Sequence, residues 1–299
     1  MKNFSFQAPK LLLALSMGIF GTLGLFVRHI SVSSAELALY RAILAAVLIG
    51  GFLLVTRQKI DLRAIKKELP LLLLSGMAMG INWILLFEAY KYTTVSVATL
   101  SYYFAPVIVT VACPLLFREK MTPKQVLCFA MATLGLVLVI GIGDTTAGGS
   151  HLIGILFGLG AACFYATVVL LNKRIRGVGG IHRTFLQFLA AILILIPYVA
   201  FSGGMTLNTL DGLGWGCLLV VGLLHTGVTY CMYFSSIGEL TGQQVSVISY
   251  IDPLVAILVS VLFLHESMTP WQIVGGILIL GFTLFNEIDL KAIVGRKKK

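Results

Sequence analysis

Two apolar segments of this sequence carry polar and aromatic side chains at helical spacing. In the segment 94–116, one face of a helix would present Ser96, Thr99, Tyr102, Tyr103 and Pro106. In the segment 241–263, the corresponding face would present Gln243, Ser246, Ser249, Tyr250 and Pro253. Polar groups inside a membrane are costly and are functional candidates by default, so the two stripes indicate a chamber that binds a small molecule. The alternative is hydrogen bonding between neighbouring helices by small polar residues.

Other apolar segments add aromatic and polar side chains to this candidate chamber. Aromatic rings suit an amphiphilic solute, which a few polar groups would orient. From the two stripes, the candidate binding residues are Thr99, Tyr102, Tyr103, Ser246, Ser249 and Tyr250. From the other segments they are Phe20, Asn82, Trp83, Tyr165, His225, Thr229 and Tyr230.

Asp252, Arg41 and His225 are ionisable residues within apolar segments. Asp252 would bind a cationic group, carry a coupling proton, or contact a neighbouring helix, because it points away from the centre of its stripe. Arg41 would either extend to the membrane interface or pair with a carboxylate, which is that of Glu36 or of the solute. His225 is interpreted as a hydrogen-bonded packing residue, with proton coupling as the less favoured role.

Composition indicates that the bilayer is the solvent of this chain. Hydrophobic residues make up 58% of the 299 positions and charged residues 11%, against about half and about a quarter in soluble domains. So few charges exclude a soluble enzyme, a disordered chain and a disulfide-stapled secreted module. The five cysteines lie in apolar segments without metal-binding spacing, so we expect no metal, disulfide or cofactor.

Ten apolar runs are long enough to cross the hydrocarbon core as helices. They lie at 10–28, 35–56, 69–88, 94–116, 125–142, 151–172, 182–201, 213–236, 241–263 and 271–288. The first is interpreted as a mature span, because no clear signal-peptide cleavage site follows it. With both termini in the cytoplasm, 19 of the 22 Lys and Arg residues lie in inside segments, as the positive-inside rule requires. We therefore predict a multi-pass protein of the plasma or inner membrane that binds no nucleic acid.

The chain repeats itself at an offset of 147 residues. The segment Glu119-x-Met-Thr-Pro-x-Gln125 recurs as Glu266-x-Met-Thr-Pro-x-Gln272, and Tyr103 and Pro106 pair with Tyr250 and Pro253. The predicted units are 1–146 and 147–299, each with five helices. Because five is odd, the second unit must be inserted upside down, an arrangement typical of secondary transporters.

These features resemble the EamA-type branch of the drug/metabolite transporter superfamily. The resemblance rests on ten spans in two inverted halves, the paired short loops, and Arg41 in Tyr40-Arg41-Ala42-Ile43-Leu44. It implies a secondary carrier whose central cavity is lined chiefly by spans 1, 3, 4, 6, 8 and 9. Asp252-Pro253 stands where many members have an acidic residue before proline. Phe20-Gly21 replaces a Trp-Gly step that is common in the first span.

The leading hypothesis is a secondary active or facilitative exporter of small amphiphilic metabolites. Amino acids, including aromatic ones, are the expected substrates, moved by alternating access. A nucleotide-sugar or sugar-phosphate carrier is a weaker hypothesis, because its substrates would require several cationic residues at mid-membrane. An intramembrane enzyme is disfavoured by the lack of catalytic motifs in the spans, so no catalytic residues are assigned. A non-transporting scaffold, proton coupling and the oligomeric state remain open.

Overall fold

The computed structural model describes residues 2–57, 62–117, 121–140, 149–202, 204–237, 239–240 and 242–287. These residues form helices and connecting turns, with no β-strand among them. Within these described ranges, eight helical segments are long and apolar enough to cross a membrane, which confirms the prediction of an all-α membrane protein. They are Ala8–Val27, Ser34–Val55, Ile65–Tyr92, Val95–Ala112, Pro123–Ile140, Ser150–Arg174, Gly180–Phe201 and Gly212–Ile237. Val247–Leu262 is a shorter apolar helix.

The helices follow one another through short connections. In the first half they are α1 (Lys2–Gly21), α2 (Leu23–Val27), α3 (Ser34–Val55), α4 (Leu62–Tyr92), α5 (Val95–Tyr102), α6 (Ala105–Phe117) and α7 (Pro123–Ile140). In the second half they are α8 (Gly149–Arg174), α9 (Gly180–Phe201), α10 (Gly212–Leu219), a π-helix (Val220–Val228), α11 (Thr229–Ile237), α12 (Gly242–Ser249), α13 (Ile251–Leu262) and α14 (Pro270–Glu287). A 3₁₀ turn at Leu207–Thr209 precedes α10.

The two Thr-Pro-x-Gln segments begin α7 and α14 in the same way. The Thr122 hydroxyl accepts a hydrogen bond from the Gln125 amide at 3.3 Å, and the Gln125 side chain accepts one from the Thr122 amide at 2.8 Å. Thr269 and Gln272 repeat this reciprocal cap at 3.2 and 2.9 Å. Both helices thus begin with threonine as the N-cap and proline at the first helical position, as is typical of helix N-termini.

The two prolines of the polar stripes interrupt their helices at matching places. A proline ring clashes with the carbonyl group four residues earlier and cannot donate a helix hydrogen bond. Accordingly, α5 ends at Tyr102, four residues before Pro106, and α12 ends at Ser249, four residues before Pro253. Each interruption lies beside a tyrosine of a stripe, Tyr103 or Tyr250.

The π-helix between α10 and α11 was not expected from the sequence. Here the Thr226 hydroxyl donates to the Val221 carbonyl at 2.8 Å, and the Thr229 hydroxyl donates to the Leu224 carbonyl at 2.7 Å. Each of these threonine bonds reaches back five residues, so the hydroxyl groups supply hydrogen bonds to carbonyl oxygens of the widened helix turns. π-Helices are rare, and this one, of nine residues, carries His225 and Thr226.

The packing places the inner helices around a shared interior. Helix α4 packs against α8 and α9, α3 packs against α9 and the π-helix, and α1 packs against α11 and α13. Helices α7 and α14 form a separate pair. At that contact, a Cβ atom on Gly135 would lie 2.6 Å from the Gly275 carbonyl oxygen, so glycine permits the close approach.

Candidate functional site

A row of aromatic rings crosses the interior from α1 to α4. The Phe20 and Tyr230 ring centroids are 5.3 Å apart, and Tyr230 lies 5.3 Å from Phe188. Phe188 in turn contacts Trp83 edge-on at 5.2 Å. Separations of this size are typical of stabilising aromatic pairs. The row joins four helices that are distant in sequence.

A second group of rings surrounds the carboxylate of Asp252. Tyr102 lies 5.7 Å from Tyr103 and 5.5 Å from Tyr165, measured between ring centroids. The Tyr103 hydroxyl donates a hydrogen bond to Asp252. Asp252 therefore contacts a neighbouring helix, as one of the sequence hypotheses proposed.

The two groups of rings face the same space. Asp252 is within electrostatic range of Tyr230, and Tyr165 is within range of both Tyr230 and Asp252. The Tyr165 side chain is 42% exposed although it contacts Tyr102, so part of its ring is not covered by the protein. We call this region the aromatic chamber, defined by Phe20, Trp83, Tyr102, Tyr103, Tyr165, Phe188, Tyr230 and Asp252.

Arg41 lies at the edge of the aromatic chamber. Its guanidinium carbon is 4.6 Å from the Trp83 ring centroid and 5.3 Å from that of Phe87. Its Nε donates to the Thr226 hydroxyl at 3.1 Å. The residue is 4% exposed, so the hypothesis that it extends to the membrane interface is wrong.

Glu36 is also not the partner of Arg41, because its carboxylate is occupied elsewhere. It accepts hydrogen bonds from the Met205 amide at 2.7 Å and from the Thr206 hydroxyl at 2.9 Å. It also accepts one from the Ser33 amide at 3.2 Å, which completes the cap of α3. Of the three sequence hypotheses for Arg41, the one that remains is an anionic group of the solute.

His225, in the π-helix, contacts the interruption between α1 and α2 at Thr22. Its Nε2 lies 2.8 Å from the Thr22 hydroxyl, between α1 and α2. Its Nδ1 lies 3.3 Å from the Val220 carbonyl oxygen, and its ring centroid is 5.0 Å from that of Phe26. These contacts are those of a hydrogen-bonded packing residue.

Several candidate residues use their polar groups within or between helices. The Asn82 side-chain amide donates to the Ala161 carbonyl at 2.6 Å and thereby joins α4 to α8. The Thr229 and Ser249 hydroxyls donate to carbonyl groups of their own chain segments at 2.7 and 2.8 Å. Hydroxyl groups in apolar helices commonly meet their need for a hydrogen-bond acceptor in this way. Thr99 is buried beside Tyr90.

Repeat-related residues of the two stripes have different surroundings. Tyr103 reaches Asp252, whereas its repeat partner Tyr250 lies near Thr283 of α14 and Cys128 of α7. The backbone is nearly the same at the two tyrosines, with φ −71° and ψ 5° at Tyr103 and φ −72° and ψ −8° at Tyr250, so the difference lies in what each ring packs against. The side chain of Ser246 lies outside the described residues.

Two residues of the site were missing from the sequence-based selection. Phe188 lies in a continuous apolar run, where nothing distinguishes a ring that faces the interior from one that faces lipid. Thr226 follows His225 on the polar face of its segment, so the rule that intramembrane polar residues are functional candidates could have found it. Within the described ranges, no three His, Cys, Asp or Glu side chains cluster closely enough to hold a metal ion.

Apolar helices of membrane-spanning length define a multi-pass membrane protein, and its interior contains aromatic rings and buried charges. The EamA-like transporter family matches residues 9–141 and 152–286. The chain belongs to this family, and it is a membrane transporter, as its relatives are named.

Curated relatives match most of the chain. An "Uncharacterized transporter YxxF" of Bacillus subtilis (strain 168) is 31% identical, with 89% of this chain and 85% of that one aligned. An "Uncharacterized transporter" of Archaeoglobus fulgidus is 27% identical over 91% and 93% of the two chains. "Protein PecM" of Dickeya dadantii (strain 3937) is 26% identical over 76% of each.

A crystal structure of a protein has the same fold. It superposes with a TM-score of 0.64 over 92% of this chain and 95% of that chain, at 16% sequence identity. At this identity the likeness concerns the fold alone.

Proposed function

We propose that this transporter is a secondary carrier, active or facilitative, that exports small amphiphilic metabolites such as amino acids, including aromatic ones. The observation that carries the proposal is the aromatic chamber with Arg41 at its edge and Asp252 within it. Rings from four or more helices would hold an apolar moiety, and the two buried charges would orient polar groups.

Alternating access between two inverted five-helix units, 1–146 and 147–299, is part of the proposal. It is supported by the two separate family matches, at 9–141 and 152–286. The matching helix breaks before Pro106 and Pro253 and the matching helix caps also support it. The chamber would open to each side in turn as one unit moves against the other.

The helix packing supports the same proposal. If each span in one unit is exchanged for its counterpart in the other, the contact of α4 with α8 becomes that of α11 with α1. The contact of α5 with α8 becomes that of α12 with α1, and both counterpart contacts occur in the structure. The α7–α14 contact maps onto itself, as expected for helices on a pseudo-two-fold axis.

Orientation and energy coupling are the remaining parts of the proposal. The Lys and Arg distribution supports cytoplasmic termini. Asp252 is the candidate for proton coupling, because it is the carboxylate of the aromatic chamber and is hydrogen-bonded by a chamber residue. A nucleotide-sugar carrier is disfavoured, because Arg41 is the cationic side chain that the described residues place against the rings.

Reconstitution tests the proposal directly. Purified protein in proteoliposomes is loaded with labelled phenylalanine, tyrosine, threonine or a nucleotide sugar, and efflux is measured with and without a pH gradient. We expect efflux of an amino acid, lost in Trp83→Ala and retained in the matched lipid-side variant Trp215→Phe, whose side chain is 41% exposed. Flux of the nucleotide sugar alone would favour that class of carrier, and flux of no solute would favour a scaffold.

A further inference from the structure

The guanidinium of Arg41 has more hydrogen-bond donors than partners. A guanidinium carries five N–H donors, and Arg41 uses one of them, from Nε to Thr226. Over the described part of the chain, the other interactions of its charge are with rings: Trp83 and Phe87 at close range, and Tyr90, Tyr102 and Tyr230 electrostatically. The terminal nitrogens thus have no hydrogen-bonded acceptor among the described residues.

A charge buried in this way needs an anionic partner. Removing a charge from water carries a penalty of several kcal/mol, on the order of what an ion pair must restore, and cation–π contacts offset only part of it. The carboxylates of Glu36 and Asp252 are both engaged elsewhere. Glu36 binds Met205 and Thr206, and Asp252 accepts from Tyr103.

Arg41 and Asp252 are nevertheless neighbours of the same rings. Tyr90 and Tyr230 are each within electrostatic range of both charges. The two do not form an ion pair with each other. The two opposite charges therefore lie near the same tyrosine rings without neutralising each other directly.

We infer that Arg41 is the specificity-determining residue that binds a carboxylate of the transported molecule. This inference rests on the proposed function and deepens it. Paired N–H donors of a guanidinium match the two oxygens of a carboxylate, and the stacking on Trp83 and Phe87 fixes the plane in which the donors point. A dianionic phosphate is a poorer match. Asp252 lies in the same aromatic chamber, and among the described residues no second cation contacts the rings of that chamber.

Trp83 makes this inference testable without transport, because it lies under the guanidinium and is 5% exposed. Trp215 and Trp271 are 41% and 65% exposed, so replacing both by Phe leaves Trp83 as the fluorescence reporter. The full-length protein in detergent is titrated with three probes of one scaffold: phenylalanine, 3-phenylpropionate and phenethylamine. The second probe lacks the amine and the third lacks the carboxylate.

We expect the reporter protein to bind the two carboxylate probes more tightly than phenethylamine. Arg41→Gln should weaken both carboxylate probes by about tenfold or more, the loss of charge-assisted hydrogen bonds, while phenethylamine binding is unchanged or stronger. Arg41→Lys keeps the charge but lacks the planar guanidinium. Its affinity for the carboxylate probes should lie between those of the reporter protein and of Arg41→Gln. If Arg41→Gln does not fold, Arg41→Lys still tests the inference, through a lowered ratio of carboxylate to amine affinity.

The matched control is Arg183→Gln in α9. Arg183 donates to the backbone carbonyls of Asn172 and Ile175 at 3.3 and 3.4 Å, so its role is structural, and its loss should leave the probe ratio unchanged. Equal weakening of all three probes by Arg41→Gln, or no binding of either carboxylate probe by the reporter protein, would overturn the inference. Amino-acid flux with unaltered carboxylate preference in Arg41→Gln would overturn it while leaving the proposed function intact. Selective binding of the carboxylate probes without flux of any solute would support the role of Arg41 and overturn the proposed function.

Discussion

The carboxylate of Glu266 forms an ion pair with the guanidinium of Arg28, although the two residues lie in opposite halves of the chain. Glu266 also accepts hydrogen bonds from the Ser260 hydroxyl and, at 2.8 Å, from the Val95 amide at the start of α5. Arg28 donates to the Thr93 carbonyl at 3.2 Å. One carboxylate thus joins the ends of α2, α5 and α13 at a helix N-terminus, where negative charge is favoured.

This junction leads to a prediction about access to the aromatic chamber. The orientation that we predict from the Lys and Arg distribution puts this junction on the outer side, so Glu266→Gln should loosen the outer closure. In a protein whose other cysteines are replaced, Tyr165→Cys should react faster with a membrane-impermeant thiol reagent added outside when Glu266→Gln is also present. The reaction rate is followed in intact cells.

Glu88→Gln provides the matched control for this experiment. Glu88 pairs with Lys91 at 3.1 Å, three residues along the same helix, and exposed pairs of this kind contribute little. Its loss should leave the labelling rate of Tyr165→Cys unchanged. A Glu266→Gln protein that labels no faster than the parent would show that the junction does not close the chamber.

The broad architecture was predictable because lipid restricts the choices of the chain. Long apolar runs must be helices, so the spans, the Thr-Pro caps of α7 and α14 and the breaks before Pro106 and Pro253 could be anticipated from residue type and spacing. Each of these depends on interactions within a few residues of the chain. The ten-span count and the inverted repeat stay predictions.

The placement of individual side chains was less predictable. Tyr103 and Tyr250 occupy equivalent positions in the sequence, yet one binds Asp252 and the other lies near α14. Phe188 enters the chamber through contacts with Trp83 and Tyr230, which are set by how three helices cross. Helical spacing defines a face of one helix, but the rotation of that helix against its neighbours is decided by tertiary packing.

Glycine at the α7–α14 contact gives a prediction about stability. A Cβ atom at Gly135 would meet the Gly275 carbonyl oxygen at 2.6 Å and the Leu278 Cβ at 2.9 Å. Backbone atoms cannot rotate away, so Gly135→Ala should lower the free energy of unfolding by about 1–3 kcal/mol. Thermal unfolding in a mild detergent measures the change. Gly281→Ala in α14 is the control: its Cβ would meet nothing within 4 Å, so its stability should be equal or slightly higher.

Asp252 gives a prediction about energy coupling. Asp252→Asn keeps the shape of the side chain but cannot exchange a proton, so a pH gradient should no longer drive flux, while exchange down a substrate gradient continues. Both fluxes are measured in the same proteoliposomes. Tyr103→Phe removes the hydrogen bond to Asp252 but leaves the carboxylate, and should keep gradient-driven flux at an altered rate. Undiminished gradient-driven flux in Asp252→Asn would remove this residue from coupling.

The inverted repeat predicts the sidedness of its two matching loops. Lys120 lies in the first Glu-x-Met-Thr-Pro segment and Ser267 in its copy, and an odd number of spans per unit sends the copies to opposite faces of the membrane. Single cysteines at these two positions should therefore label from opposite compartments, with Lys120→Cys reacting only after the membrane is permeabilised. Lys91→Cys, predicted to be outside, serves as the positive control for external labelling. Reaction of both loops with the impermeant reagent in intact cells would contradict the inverted arrangement, and with it the alternating exposure of a single chamber that the proposed transport mechanism requires.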